Sequence, residues 1–520
     1  MGHVLGVDVG TSGCKAVVIA EDGAVLGSAT IGYPLLQPRA TWAEQSPTAW
    51  WRAAGQAVRG ALAAAGLDGA AIQGVGLTGQ MHGAVVLDGQ DRPVRPAMIW
   101  CDQRSAPEAD ALGRDPGLAR IVELTANPPL PNFTVTKLLW MRHHEPELYA
   151  GIRRVLLPKD YVRLCLTGEF ATDVSDASGT LAFDVAARRW SPAMCELLAL
   201  PIGWWPPAAE SPSVTARVSA AGAEATGLRT GTPVVAGAGD QAAAAVGAGI
   251  AAPGLVSVTI GTSGVVFAAT PGVLRDPRGR LHTFCHAVPG AWHVMGVTQS
   301  AGGSLQWWRD TFAHAERAVA AESGEDVYDL LCREAAAIAP GAESLVFLPY
   351  LMGERTPHTD PAARGVFFGI TPRHRRAHFA RAILEGVSQS LRDCLALIED
   401  LGCPVREVRM TGGGARSPLW RQIQADVLAR PLRVARGSEG PATGAAILAA
   451  VGTGAYAHVA QACEAMVAPG AETRPQPDAV AAYIEQGEVY RSLYPALQPI
   501  FAGMTAQMAD GQRALSRGKP

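Results

Sequence analysis

The feature that most constrains the fold is a tetrapeptide, GTSG, which occurs twice, each time between two apolar runs. The first copy, Gly10–Gly13, lies in GVDVGTSGCKAVVIA, and the second, Gly261–Gly264, lies in VSVTIGTSGVVF. Short apolar runs on both sides of a glycine turn predict a β-hairpin. After the first hairpin, the turn Glu21–Gly23 and the run AVLGSATI predict a third antiparallel strand. Matching hairpins in the two halves predict two domains of similar plan that face one cleft.

The length and composition of the chain are those of a two-domain globular protein. Its 520 residues exceed what one hydrophobic core usually holds, and 48% are hydrophobic and 18% charged. The formal net charge of -3 (44 basic against 47 acidic residues) lacks the basic excess of a nucleic-acid-binding protein. No CxxC pair occurs among the nine cysteines, and no apolar stretch reaches the length of a membrane span. These features predict a cytoplasmic protein without structural zinc, a disulfide framework, or a membrane or nucleic-acid partner.

The first GTSG turn is not a Walker-type phosphate loop. A Walker loop needs GxxxxGK[ST] followed by a helix, whereas here Lys15 is out of register and a strand follows. A turn between strands can still hold phosphate, because its backbone N–H groups and the hydroxyls of Thr11 and Ser12 can point into one concavity. Asp8, at the preceding strand end, is placed to hold a magnesium ion. For either copy alone, an ordinary glycine-rich hairpin is the alternative.

Asp240 follows the strand-like PVVAG and precedes an alanine-rich helix in GDQAAAAVG. A carboxylate at a strand end can act as a general base, accepting the proton of a substrate hydroxyl as its oxygen attacks phosphorus. The local sequence fits a helix N-cap at least as well, because Asp is a preferred residue there.

Two more glycine-containing stretches predict binding surfaces. In VRMTGGGARSPLW, adjacent glycines between a strand and a helix allow a flat base or ribose to lie against the backbone, with a plain turn as the alternative. GVGLTG fits the dinucleotide fingerprint by letter, but the residues after it predict a strand where a helix is required, so we reject that interpretation. The next residues, Gln80, Met81 and His82, offer the mixed surface that suits a small polyhydroxylated molecule. A purely structural histidine is the alternative.

The chain resembles the FGGY family of carbohydrate kinases, and within it the bacterial xylulokinases. The similarity extends from the first hairpin to about residue 450, and its second half includes GVFFGITPRHRRAHFARAILEG, which is similar to a signature of the family. The other stretches that carry the resemblance are WAEQSPTAWW, GLTGQMHGAVVLD, IWCDQR, TKLLW, LLPKDYVRLCLTGEFATDVSDASGT, GDQAAAAVG, SVTIGTSG, FLPYLMGERTPH and GGGARSPLWRQ.

The resemblance implies an α/β fold with two actin-like domains, a ribonuclease H-like core in each, and a catalytic cleft between them. We expect a sugar-binding domain at residues 1–246, a nucleotide-binding domain at 247–455, and a helical extension with a polar tail at 456–520. The implied reaction is ATP-dependent phosphorylation of D-xylulose, and the implied ligands are ATP and Mg²⁺. A homodimer is one possible oligomeric state. Gln241 stands where some xylulokinases have Asn, which leaves ribulose, arabinitol and glycerol-like acceptors open.

The resemblance also implies roles for particular residues. Asp240 is the implied catalytic base, and Asp8 is implied to support activity through Mg-ATP. The expected sugar contacts are Gln80, Met81, His82, Trp100, Asp102, Asp240 and Gln241. The expected nucleotide and phosphate contacts are Gly10, Thr11, Ser12, Lys15, Gly261, Thr262, Ser263, Gly302, Gln306, Gly413 and Gly414.

A rival interpretation comes from another class of protein. The actin-like fold also serves chaperones and filament formers, in which nucleotide drives conformational change and no sugar is phosphorylated. A sugar-sensing regulator derived from a kinase is a further alternative. The combination of Asp240 with the QMHG stretch favours a kinase, because a pure ATPase needs neither.

Overall fold

The structure is a computed structural model that describes residues 2–436 and 439–517, without the side chains of residues 435, 436, 469 and 505–517. The chain divides into two compact units, each made of three segments. The first unit contains Met1–Pro253, Ala269–Val294 and Ala435–Pro469, and the second contains Gly254–Ala268, Met295–Val434 and Gly470–Pro520. The boundaries expected from the sequence, at residues 246 and 455, stay predictions.

A seven-stranded sheet forms the centre of the first unit. Its strands are β1 (His3–Val9), β2 (Gly13–Ala20), β3 (Val25–Gly32), β4 (Ile72–Gly79), β5 (Val214–Arg217), β6 (Pro233–Val235) and β7 (Ala238–Gly239). The strand order is β5-β6-β4-β1-β2-β3, and β7 pairs with β4. The first three strands are the antiparallel meander that the sequence predicts, and β1 pairs in parallel with β4.

The second large sheet also has seven strands. They are β8 (Leu255–Ile260), β9 (Gly264–Thr270), β10 (His282–Cys285), β11 (Trp292–Thr298), β12 (Glu407–Thr411), β13 (Leu432–Arg436) and β14 (Ala468–Thr473), in the order β10-β11-β9-β8-β12-β13-β14. β8 is antiparallel to β9 and parallel to β12, just as β1 is to β2 and β4. The repeated plan predicted from the two GTSG hairpins is confirmed. Each large sheet has the strand arrangement of a ribonuclease H-like core.

Helices pack against both sheets. The helices that carry labels are α1 (Pro47–Ala65), α2 (Thr134–His144), α3 (Pro158–Thr167), α4 (Asp240–Gly247), α5 (Gly302–Phe312), α6 (Arg376–Asp400), α7 (Pro418–Leu428), α8 (Pro441–Gly452) and α9 (Pro477–Arg517). The alanine-rich run predicted as a helix is α1, which ends at Gly66 in the left-handed region, with φ of 66°. The last helix runs through most of the expected polar tail, and residues 518–520 lie outside the described part of the chain.

The remaining elements are short. The other helices with α geometry are Ala106–Leu112, Leu118–Thr125, Pro146–Gly151, Val174–Ala177, Pro192–Leu197, Ala220–Thr226, His314–Ser323, Val327–Ala336 and Val459–Met466. Two-stranded sheets pair Glu44–Gln45 with Ala97–Met98, Val85–Leu87 with Arg154–Leu156, Thr172–Asp173 with Ala208–Ala209, Phe183–Asp184 with Arg189–Trp190, and Val346–Leu348 with Val366–Phe368.

Helix α8 lies directly on the backbone of the first sheet. A Cβ atom added to Gly6 in β1 would stand 1.9 Å from the carbonyl oxygen of Ala442, and one added to Gly76 in β4 would stand 1.9 Å from that of Ala445. Only glycine permits so close an approach. The buried side chains of β1, β2 and α8 share one hydrophobic core, which includes Val4 and its neighbours.

Two expectations about the chain as a whole can be compared with the structure. The residues after GVGLTG lead into the short strand Val85–Leu87 and not into a helix, so rejecting the dinucleotide fingerprint is confirmed. None of the helices in the described ranges is long and apolar enough to cross a membrane.

Candidate active site

Three parallel strand ends meet at one edge of the first sheet. Gly79, the last residue of β4, lies opposite Val9 of β1 in one ladder and opposite Gly239 of β7 in another. Because these ends are in register, the chain leaves the sheet at neighbouring points of the same edge. Asp8 and Asp240 are therefore brought together, although more than two hundred residues separate them in the sequence.

The pKa values of both carboxylates are raised, and Asp240 contributes to the shift of Asp8. Burial and the negative charge of Asp240 raise the pKa of Asp8 to about 7, against the opposing charge of Lys15. Burial raises the pKa of Asp240 to about 6, while the backbone and side-chain amides of Gln241 act to lower it. Gly239 occupies the N-cap of α4 and Asp240 is the first helical residue, so the interpretation of Asp240 as the helix cap is wrong. Two neighbouring acids with perturbed pKa values are typical of a catalytic site.

A network of amides holds the first GTSG turn. The Gln80 side chain donates to the carbonyl oxygen of Gly10 at 3.2 Å and to that of the Gln45 side chain at 2.8 Å. Gln45 in turn donates to the carbonyl oxygen of Thr11 at 2.7 Å, and the Trp100 indole donates to the Thr11 hydroxyl at 2.9 Å. Because the Thr11 hydroxyl also donates to the Gln80 side chain at 3.4 Å and the Gly10 N–H donates to the Gly13 carbonyl oxygen, the hydroxyl of the exposed Ser12 is the group of this turn best placed to meet a ligand. Sequence analysis missed Gln45, which stands in the quoted WAEQSPTAWW but in no recognised functional motif.

Of the two other expected phosphate contacts on this hairpin, Lys15 is paired within the protein and Ser12 is exposed. The Lys15 ammonium forms an ion pair with Glu439, in the same unit. That pairing competes with the phosphate contact expected of Lys15. Ser12, at the tip of the turn, is exposed.

The QMHG stretch, residues 80–83, follows β4, and hydrogen bonds from other segments of the chain fix His82 within it. His82 has a φ of 68°, in the left-handed region, and its Nδ1 is 2.6 Å from the carbonyl oxygen of Gly179. The buried Lys137 ammonium donates to the carbonyl oxygen of His82 at 2.8 Å. A Cβ atom on Gly239 would stand 2.9 Å from the Met81 sulfur. Met81 therefore lies against the residue that precedes Asp240, so the expected sugar-binding stretch and the expected base are neighbours.

The surroundings of Asp102 indicate a structural role and not a sugar contact. It is fully buried, and its two oxygens accept hydrogen bonds from the backbone N–H of Ala43 at 2.7 Å and from the backbone and guanidinium of Arg104. Such a carboxylate braces the loops around it and has no accessible oxygen for a sugar. Trp100, two residues earlier, is 37% exposed and is the better placed of the two to contact a ligand.

A cavity of about 340 Å³ lies in the second unit. This volume falls within the roughly 300–1,000 Å³ of small-molecule sites. Six of the expected nucleotide contacts line this cavity: Gly261, Thr262, Gly302, Gln306, Gly413 and Gly414. Ser263, which was expected with them, does not line it. The other lining residues are Ile260, Leu305, Asp326, Tyr328, Asp329, Cys332, Arg416, Ser417 and Trp420.

Close backbone packing shapes this cavity. The N–H of Gly302, at the start of α5, donates to the carbonyl oxygen of Gly261 at 2.7 Å. A Cβ atom on Gly302 would stand 2.5 Å from that oxygen, and one on Gly414 would stand 2.7 Å from the Ile260 side chain. The glycines are therefore required where three chain segments converge. Sequence analysis missed the wall from Asp326 to Cys332, because these residues carry no motif.

Asp8 has an unused buried oxygen. Its Oδ1 is inaccessible to solvent and has no hydrogen-bond partner among the residues that the structure describes. Within the same residues, no group of three or more His, Cys, Asp or Glu side chains could hold a metal ion. The donor set fits a cation that takes one carboxylate from the protein and keeps water or phosphate oxygens as its other ligands.

Two sheets of this strand order are typical of the actin-like ATPase fold, which alone does not decide between hydrolysis and transfer. The paired carboxylates next to the Met81–His82 stretch indicate a class of actin-like enzyme that transfers a phosphoryl group to a small polar acceptor.

Comparisons with known proteins identify the family. The model of the FGGY family of carbohydrate kinases, N-terminal domain, matches residues 3–247, and that of the C-terminal domain matches residues 256–453. The chain belongs to the FGGY family of carbohydrate kinases. This confirms the resemblance found in the sequence.

Individual relatives cover nearly the whole chain. The xylulose kinase of Escherichia coli (strain K12) is 40% identical over 501 residues, which are 96% of this chain and 100% of that protein. The gluconokinase of Bacillus subtilis (strain 168) is 31% identical over 518 residues, 99% of each chain. The crystal structure of xylulose kinase from Rhodospirillum rubrum superimposes with a TM-score of 0.87, at 32% identity, and covers 96% of this chain and 100% of that one.

Proposed function

We propose that this chain transfers the γ-phosphoryl group of ATP to D-xylulose, with Asp240 as general base. The observation that carries the proposal is the position of Asp240, beside Asp8 and one residue from the contact between Gly239 and Met81. The 40% identity to a xylulose kinase over almost the full length supports the choice of sugar. The cytoplasmic location and the homodimer stay predictions from the sequence.

Catalysis of phosphoryl transfer depends mainly on positioning the reactants and neutralising charge on the transferred group. The pKa of Asp240, raised to about 6 by burial, leaves its carboxylate ionised at neutral pH and still basic enough to accept a proton. In the proposed reaction it orients the terminal hydroxyl of the sugar and takes its proton as the oxygen attacks the γ-phosphorus. The N–H groups of the GTSG turns donate to phosphate oxygens.

The nucleotide is proposed to occupy the cavity of the second unit, with Gly302, Gln306 and Gly414 against it. Mg²⁺ is proposed to bind at Asp8, whose orphaned Oδ1 supplies the carboxylate oxygen that this ion prefers. When bound, the ion neutralises charge on the phosphate oxygens. A triphosphate shared by the two GTSG turns stays a prediction from the sequence.

The first test identifies the acceptor. ADP release in a coupled assay should be stimulated most by D-xylulose, in a panel with D-ribulose, D-arabinitol, glycerol and D-gluconate. D-Gluconate is included because one relative of this chain is a gluconokinase, at 31% identity against 40% for a xylulose kinase. Sugar-independent ATP turnover would instead favour an actin-fold ATPase, and the greatest stimulation by D-gluconate would favour a gluconate kinase.

The second test is the pH dependence of kcat/KM for D-xylulose. A general base must be ionised, and burial places the pKa of Asp240 at about 6 in the free enzyme. Because that pKa is raised, the active form is lost as the pH falls through this value, so kcat/KM for D-xylulose, which reports the enzyme before the sugar binds, should fall in acid. Initial rates at D-xylulose concentrations well below its KM and at saturating Mg-ATP, measured from about pH 5 to 8, should show this acid limb. A rate that stays flat down to pH 5 would contradict the assignment.

A further inference from the structure

We propose that Ser175 is a positioning residue for Asp240 that acts through the backbone of Gly239, an inference that rests on the proposed function. Ser175 is fully buried, and its hydroxyl oxygen accepts a hydrogen bond from the Gly239 N–H at 3.1 Å. Gly239 is the last residue of β7 and the N-cap of α4, whose first residue is Asp240. Ser175 therefore holds the peptide unit next to the base without touching the substrate.

The orientation of the Ser175 hydroxyl is fixed. Asp173 Oδ2 accepts hydrogen bonds from both the backbone N–H and the hydroxyl of Ser175. Because the single hydroxyl hydrogen is directed at Asp173, an oxygen lone pair is left to face Gly239. The Ser211 hydroxyl donates to the same Asp173 oxygen, at 3.1 Å, and is also fully buried. Ser211 shares the anchor of Ser175 but, within the part of the chain that the structure describes, its hydroxyl does not bond to Gly239 or Asp240.

Asp173 is itself held by a buried ionic group, which we call the Lys159 cluster: Lys159, Asp160, Asp173 and Asp176. The Lys159 ammonium lies 2.6 Å from Asp160, 3.0 Å from Asp173 and 3.2 Å from Asp176, and none of these side chains is more than 1% exposed. The cluster also touches the sheet edge, because a Cβ atom on Gly79 would stand 3.3 Å from that of Lys159. The Lys159 cluster therefore packs against the end of β4, next to the strand ends that carry Asp8 and Asp240.

The segment before Asp240 depends on this support because its strand is short. β7 pairs with β4 at only two positions, Ala238 with Thr78 and Gly239 with Gly79. The hydrogen bond to Ser175 thus fixes the peptide at which the strand turns into α4. A base displaced by about 1 Å from its productive position can lose on the order of 10²-fold in rate.

The test compares Ser175→Ala with Ser211→Ala in the full-length enzyme. Both variants remove one buried hydroxyl donor from the same Asp173 oxygen, but only Ser175→Ala frees the Gly239 N–H. Ser175→Ala should lower kcat by about 10- to 100-fold, with the KM values for ATP and D-xylulose within about 3-fold of wild type. Ser211→Ala should keep kcat within about 3-fold, and its melting temperature should fall less than that of Ser175→Ala, because it loses one of these buried hydrogen bonds and Ser175→Ala loses two.

Equal kcat values for the two variants would overturn the positioning role and leave the proposed function intact. If Ser175→Ala does not fold, Ser175→Cys decides, because a thiol fills nearly the same space but is a weak acceptor. Its kcat should fall as expected for Ser175→Ala, and a normal kcat would overturn the inference. Near-normal turnover by Asp240→Asn would overturn the proposed function itself.

Discussion

Replacement of Asp240 with asparagine should lower kcat for D-xylulose phosphorylation by about 10²- to 10⁴-fold, the usual contribution of a general base. Asparagine keeps the size and polarity of the side chain but cannot accept the proton of the attacking hydroxyl. Affinity for nucleotide, measured by calorimetry with a non-hydrolysable ATP analogue, should change little, because the cavity of the second unit is lined by other residues. The residual activity should also lose the acid limb that Asp240 produces.

A matched control is available in the same unit. Asp68 is exposed, and its carboxylate accepts a hydrogen bond from the backbone N–H of Ala70 in a surface turn. Asp68→Asn should leave kcat and KM at wild-type values, because an asparagine oxygen can accept that bond. Turnover of Asp240→Asn close to that of Asp68→Asn would eliminate the base role.

The largest effect on stability should come from Lys159→Met. Methionine fits the aliphatic space, but the three carboxylates of the Lys159 cluster would lose their shared cation. Removing one partner of a buried ionic group typically costs about 3–5 kcal/mol, because the remaining charges are uncompensated. Chemical and thermal unfolding followed by circular dichroism should show the loss.

The pH dependence of this loss has a defined sign. Burial already raises the pKa values of Asp160 and Asp176, against the charge of Lys159, and removing that charge raises them further. Carboxyl groups with raised pKa values in the folded state bind more protons folded than unfolded, so stability increases as the pH falls. The deficit of Lys159→Met relative to wild type should therefore shrink from about pH 8 to pH 5.

Lys15→Met provides the comparison for the same chemical change. The Lys15–Glu439 pair is partly exposed, with 30% and 39% of the two side chains accessible. Solvent screening limits such a pair to about 1 kcal/mol or less. A Lys159→Met variant that unfolds like Lys15→Met would show that the Lys159 cluster does not stabilise the fold.

Local patterns predicted much of the fold. Each GTSG hairpin could be recognised because apolar runs and a glycine turn are contiguous in the sequence, and the structure confirms both hairpins and their flanking strands. The strand-like PVVAG is confirmed only as β6, Pro233–Val235, while the short β7 that directly precedes Asp240 has no pattern of its own in the sequence. The choice between helix cap and base could not be made from the sequence, because it depends on Gly239 occupying the cap position and on the distant Asp8.

The parts that sequence analysis missed depend on long-range contacts. In PKDYV and TDVSD the members of the Lys159 cluster look like ordinary polar residues at helix starts, and only the fold buries them together. Asp102 was expected at the sugar, but burial and Arg104 occupy its carboxylate. Gln45 acts on the first GTSG turn from more than thirty positions away, at Thr11, with no motif to mark it.

The placement of α8 on β1 and β4 has a consequence for biosynthesis. The first sheet emerges from the ribosome early, but the helix that covers one of its faces, with Ala442 and Ala445 seated on Gly6 and Gly76, is translated near the end of the chain. Until then the nascent polypeptide exposes an apolar surface that this helix would bury, which is the kind of species that aggregates or recruits chaperones. The N-terminal region of this kinase therefore cannot complete its folding until α8 has been synthesised.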